Sequence, residues 1–391
     1  MRTVSKTVIG VDFGTQSARA VLVNAENGEI IYSCRKEYPY NSTPAPAIDC
    51  AENLPCATDY EMTLYELLRN VIPEEYRKTV AGICVDATSL TMVLLAEDGR
   101  ALSELDGWSE AAHARVKLWK YHRAQEKADE ALNLASNLQE PFLGRTGGSI
   151  SCEWMLPKLL EVRDEAPEIY SKIDLAMDLC EFLTFRLTGQ LVRSIGSLSY
   201  KCLWAEDLNF PERTFLNGLR AGFYEEYCHF LRGDVRKPGE CAGMLRSELT
   251  KRWGLPEQIP VATGMLDGHT SLATMGAFEP GDAALIVGTS NVCTVQDRKL
   301  QELKDVCGVA QDGMVTGSCG IDTGQSSTGN MLGWFVEHMA GWQIHREAEE
   351  RKISPHQVLA ERIQKPWENK VIAVDWWSGS RNAPCDLTLR G

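Results

Sequence analysis

Val8-Ile9-Gly10-Val11-Asp12-Phe13-Gly14-Thr15-Gln16-Ser17-Ala18-Arg19-Ala20-Val21-Leu22-Val23 opens the chain with an apolar run, a polar turn and a second apolar run. After Asn27-Gly28 a third run begins at Glu29 and reaches Tyr32. The pattern predicts strand, turn, strand, turn, strand, because Asn-Gly adopts the positive φ angles of a tight hairpin. Thr58 and Glu61 have capping-box spacing ahead of the helical stripe Met62, Leu64, Tyr65, Leu67, Leu68 and Val71. Val80 to Val85 then returns as a buried strand ending at Asp86. Strands alternating with helices indicate an α/β core.

Further along, Ser109 to about Ser136 carries helix formers with few breakers and predicts a helix. Gly144, Gly147 and Gly148 mark a loop, a helix follows from about Glu153, and Leu175–Met177 and Phe182–Leu187 read as strand and helix. Ile259–Thr263 is a strand, and the turn 264–269 leads into a short helix. Ala283–Val287, the turn Gly288-Thr289-Ser290 and the strand Val292–Val295 partly copy the opening of the chain. This weak internal repeat predicts two related halves that meet near 279–282.

Composition narrows the function. The 391 residues imply two to three domains at roughly 150 residues each. With 44% hydrophobic and 24% charged residues, the chain has the make-up of a folded globular protein. A net charge of −14 argues against nucleic acid and anionic membranes as partners. No run approaches the roughly 20 apolar residues of a membrane span. The 13 cysteines are odd in number, scattered and without a C-x-x-C pair, so they read as buried thiols of a reducing cytoplasm and not as disulfides or a zinc site. The first residues contain no signal-peptide core, which also predicts a cytoplasmic protein.

Asp-x-Gly-Thr-x-Ser at a strand end has a chemical use. Gly14 admits an anion close to the backbone, Thr15 and Ser17 add hydroxyls, and Asp12 suits a hydrated divalent cation. A plain hairpin with a polar turn explains the same residues equally well. The second turn, 288–290, favours function, since two facing turns would clamp a polyphosphate. Asp12-Phe13-Gly14 spells a protein-kinase metal motif, but only eleven residues precede it, too few for a nucleotide lobe. No G-x-x-x-x-G-K-[ST] loop occurs. Asp267 and Asp86 each end a strand and suit either a general base or a helix cap. Trp119-Lys120-x-His122, Glu153-Trp154 and Lys201-Cys202-Leu203-Trp204 pair aromatic faces with polar groups, as a sugar requires and as ordinary packing also produces.

Taken with V-K-L-W-K-Y-H (116–122), G-G-S-I-S-C-E-W (147–154), Y-K-C-L-W (200–204), D-G-H (267–269), V-G-T-S (287–290), D-T-G-Q-S (322–326) and V-D-W-W-S-G-S-R (374–381), the opening resembles the FGGY carbohydrate kinases of the actin and hexokinase superfamily. W-K-x-H and D-W-W-x-G-x-R are the pieces specific to its ribulokinase branch. The resemblance implies two ribonuclease-H-like α/β domains around a cleft, residues 1–279 and 280–391, the second incomplete. It implies transfer of the ATP γ-phosphoryl group to a ketopentose, L-ribulose, in arabinose catabolism. The alternatives are a pentose-binding fragment or a kinase for xylulose or another polyol. Carried over by residue, Asp267 is the general base and Asp12 holds Mg2+ through water. Gly14, Thr15, Ser17, Gly288, Thr289 and Ser290 form the phosphate turns. Ser89, Trp119, Lys120, Lys201, Asp267 and Asp322 contact the sugar. Asp322 stands where the branch usually has glutamate, which predicts a slightly larger pocket or a different pentose. Family members continue past the position of Gly391 with an adenosine-binding segment. The resemblance therefore implies exposed apolar edges in the second domain and a tendency to form homo-oligomers.

Overall fold

The computed structural model describes residues 5–38, 54–288, 290–363, 374, 376–382 and 385–389. The opening forms three antiparallel strands, β1 (Thr7–Phe13), β2 (Ser17–Asn24) and β3 (Ile30–Glu37). Alternation explains the first: Ile9, Val11 and Phe13 point inward while the residues between them are half-buried. Gly28, at φ +74°, closes the predicted turn, its N–H donating to the Asn24 carbonyl at 2.9 Å. Helix α1 (Ala57–Asn70) crosses back over this sheet, burying Leu64, Leu67 and Leu68 in its core. It delivers β4 (Val80–Ala87) parallel to β1, with Asp12 opposite Asp86. The seven-stranded sheet is completed by 241–244, 260–262 and 265–266, and Met265 pairs with Asp86. A parallel pair places both strand ends on one side, so Asp12 and Asp86 emerge together.

A second, four-stranded antiparallel sheet contains Ala283–Val287, Asn291–Asp297, Cys319–Gln325 and Gly308–Gln311. Its first hairpin repeats the β1–β2 arrangement. Leu285 and Val287 on its edge strand are 56% and 67% exposed. Among the described residues, no helix is long and apolar enough to cross a membrane.

Two expected elements differ. The cap of α1 is Cys56 with Asp59, not Thr58 with Glu61; Glu61 instead accepts the Tyr65 hydroxyl and pairs with Arg186. The long helix expected over 109–136 is confined to Gln125–Leu138, preceded by a short turn at Ala112–Ala114. Residues 116–121 run in an irregular path because tertiary partners take their backbone groups. Met92 bridges Lys117, and the buried ammonium of Lys158 takes the carbonyls of Lys117 and Leu118.

The two sheets are joined by Tyr200, at the end of helix Ile195–Lys201, whose hydroxyl donates to the Gly320 carbonyl at 2.7 Å. A Cβ at Gly308, Gly313 or Gly320 would lie 2.5–2.7 Å from Tyr200 atoms, so glycine is required around this ring. A Cβ at Gly196 on the same helix would overlap the backbone carbonyl of Gly313. Gly196→Ala is expected to cost about 1–3 kcal/mol through this overpacking. A denaturant midpoint equal to that of the parent chain would contradict it.

Candidate active site

Asp12 ends β1, Asp86 ends β4, and Asp267 opens the helix Asp267–Met275 just after the strand 265–266. Three carboxylates therefore meet at adjacent strand ends. Burial, then the charges of Asp12 and Asp267, push the Asp86 carboxyl up to about 8. Burial also pushes Asp267 up to about 6, opposed by N–H bonds from Gly268 (2.7 Å) and Ser89. Asp267 thus has the raised pKa that a general base working near neutral pH requires and is held in place by two backbone donors.

Two turns flank it. The Gly14 N–H donates to the Ser17 carbonyl at 3.2 Å, and the Tyr38 hydroxyl donates to the Gly14 carbonyl at 2.9 Å. The Trp119 indole Nε1 donates to Thr15 Oγ1 at 3.1 Å. In the second turn the Gly288 N–H donates to the Ser290 carbonyl at 3.0 Å. Both glycine amides therefore close their own turns. Asp12, Gly14, Thr15, Gly288 and Ser290 line one cleft of about 540 Å³, with Asp86 and Asp267 between them. Thr289 and Asp375 lie outside the described residues.

The same cleft is also lined by Ser89, Trp119, Glu153, Lys201, Asp322 and Arg381. Lys201 Nζ donates to Asp322 Oδ2 at 3.2 Å, and His269 Nε2 lies 3.8 Å from the same oxygen. Although burial disfavours its charge, Lys201 and His269 hold the Asp322 carboxyl well below the usual range. Glu153 is likewise buried, yet Arg381 and His122 bring it down to about 2. The pocket is therefore a set of fixed, paired charges with an indole beside it, suited to a rim of hydroxyls.

Two expected residues are not in the cleft lining. Ser17 turns its buried hydroxyl to accept Arg35 Nε at 3.0 Å, and Lys120 sits beside Trp119 with its ammonium pKa lowered by burial. The hydrogen-bond set His122–Glu153–Arg381, at 3.2 and 3.3 Å, was not assigned from sequence. Glu153 and Arg381 are 228 positions apart, and only the co-occurrence of 116–122, 147–154 and 374–381 in one resemblance hinted at the set.

Residues 7–274 match the N-terminal domain of the FGGY family of carbohydrate kinases. This chain belongs to that family. The carbohydrate kinase is 32% identical over 397 residues to the ribulokinase of Halalkalibacterium halodurans, covering 99% of this chain and 70% of that protein. It is 35% identical over 402 residues to the ribulokinase of Mycolicibacterium smegmatis, with coverage of 99% and 70%. Among solved structures, ligand-bound xylulose kinase from Lactobacillus acidophilus superposes with TM-score 0.75 at 18% identity, covering 98% of this chain and 71% of that one. Gluconate kinase from the same organism gives 0.74 at 18% identity, with the same coverage. These structures establish the actin- and hexokinase-type fold of the kinase, with its two sheets about a cleft.

Proposed function

We propose that this kinase transfers the γ-phosphoryl group of ATP to L-ribulose, giving L-ribulose 5-phosphate for arabinose catabolism in the cytoplasm. Residues 1–279 would form the sugar-binding domain, and 280–391 part of the second. The observation that carries the reading is one cleft lined together by Asp267, by both glycine turns and by the Lys201–Asp322 pair. Similarity to ribulokinases over nearly the whole chain favours L-ribulose among sugars.

In the reaction the sugar hydroxyl gives its proton to the Asp267 carboxylate while its oxygen bonds to the γ-phosphorus. The bond from that phosphorus to the β–γ bridging oxygen breaks, and ADP leaves. Such a transfer is loose and in-line, so positioning and charge neutralisation dominate. Lys201, Asp322 and Ser89 hold the sugar, and the turns at Thr15 and Gly288 hold the polyphosphate. The donor set fits Mg2+. Asp12 offers a hard carboxylate in the cleft lining, its strand paired with that of Asp86. Asp12 would hold the ion through water, and the ion would supply neutralisation of phosphate charge.

Calorimetric titration with L-ribulose and then Mg-ATP, followed by ADP release on L-ribulose, D-xylulose and glycerol, tests the reading. L-Ribulose is expected to bind and to be preferred in turnover; preference for another sugar would overturn it. The exposed Leu285 and Val287, with Met275 in the cleft lining at 56% exposure, favour a second reading. In it the pentose binds without nucleotide turnover, and the same titrations would show sugar heat alone.

A further inference from the structure

Arg381 comes from the segment specific to the resemblance, yet neither the phosphate turns nor the Lys201–Asp322 pair uses it. Its neighbour Asn382 fastens the segment to the second sheet: Nδ2 donates to the Gly324 carbonyl at 3.2 Å, and Oδ1 accepts the Thr323 hydroxyl at 3.2 Å. From there the guanidinium reaches across the cleft. Nη2 donates to Glu153 Oε1 at 3.3 Å, and the cation lies 4.9 Å from the centre of the Trp119 ring. The other edge is different. Nε is buried and has no hydrogen-bond partner, although Arg381 lines the cleft. A buried guanidinium N–H without an acceptor is costly, and a ligand oxygen removes that cost.

We propose that Arg381 is a specificity-determining sugar contact, its Nε–H donating to a ketopentose oxygen while its stack on Trp119 ties sugar occupancy to the first phosphate turn. The second link is the Trp119 indole, whose Nε1 already holds Thr15 Oγ1. One rigid relay, Glu153–Arg381–Trp119–Thr15, thus joins the sugar end of the cleft to the phosphate end. The inference rests on the reading of the substrate as a ketopentose.

The test uses the full chain, with Arg381→Met and Arg381→Lys, titrated with L-ribulose and with analogues each lacking one hydroxyl. Lysine keeps the charge opposite Glu153 but has no fork to place the second donor. Both variants are expected to bind L-ribulose roughly 10- to 100-fold more weakly, with the Kd for Mg-ATP in the absence of sugar within about threefold of the parent's. One deoxy analogue should bind the parent poorly and lose nothing further in either variant. The quenching of tryptophan fluorescence by sugar should shrink in both. If the parent binds no ketopentose, the substrate reading falls and this inference with it. If the parent binds L-ribulose and the variants match it, or every analogue keeps its full penalty in both variants, this inference alone is overturned. Should Arg381→Met fail to fold, Arg381→Lys carries the same comparison.

Discussion

Asp267→Asn is expected to lower kcat by about 10²- to 10⁴-fold, the usual contribution of a positioned general base, while leaving the Kd for the sugar within about threefold. The amide matches the carboxylate in shape, and its Oδ1 still accepts the Gly268 N–H that now lies at 2.7 Å. Only the capacity to take a proton is lost. Rapid-quench measurement of ADP formed in the first turnover checks it, and a burst at the parent's rate would remove Asp267 from its role. The pH profile is a second check. Burial raises the Asp267 pKa to about 6. Below that pH the group is protonated and cannot act as a base, and above it the carboxylate is available. The kcat/KM of the parent should therefore fall tenfold per pH unit on the acid side of about 6 and be flat just above. The asparagine variant should lack this limb.

Lys158→Met is expected to lose about 3–5 kcal/mol of stability and to weaken sugar binding as well. The ammonium is fully buried and donates to the carbonyls of Leu90 (3.0 Å), Leu118 (2.9 Å) and Lys117 (3.4 Å). Burial lowers its pKa to about 8, so near neutral pH it still carries all three protons for three acceptors. Methionine fills the volume but takes the ammonium from all three carbonyls, leaving those of Lys117 and Leu118 with only the N–H groups of Met92 (2.8 Å) and Tyr121 (3.1 Å). Two of the three lie next to Ser89 and Trp119 in sequence, so the loss loosens the walls of the pocket. Urea denaturation gives the stability, and the KM for sugar at unchanged kcat gives the second effect. A midpoint equal to the parent's would show that the ammonium adds nothing to the backbone bonds these carbonyls already have.

The first two strands and their turns were readable in the first 28 residues. Alternating apolar residues bounded by Gly14 and Gly28 specify strand and turn by local sterics alone, and the structure has β1, β2 and the Gly28 turn where the pattern puts them. Asp267 was legible as one of two things, a cap or a base. The geometry gives it a cap's position at a helix start together with a base's surroundings, a buried cleft beside Asp12. The stretch 109–124 departs from the helix its composition predicts for a physical reason. Its residues favour helix, but a lysine forty positions away takes the carbonyls that a helix would have used. Propensity carries no record of such a distant donor.

Strand periodicity, the two glycine turns and the carboxylates at strand ends are local properties, encoded within a few residues, and they already specified an α/β core with acidic strand ends, while the kinase reading came from the resemblance of motifs spread over the chain. Which charges face one another is not local. Asp12 meets Asp86 only because β1 and β4 run parallel in register, and Glu153 meets Arg381 only because the second sheet folds back across the cleft on Tyr200. A pair 228 residues apart leaves no periodic signal in the chain. The cleft proposed for the sugar, lined by such pairs, came into being with the packing of the two sheets.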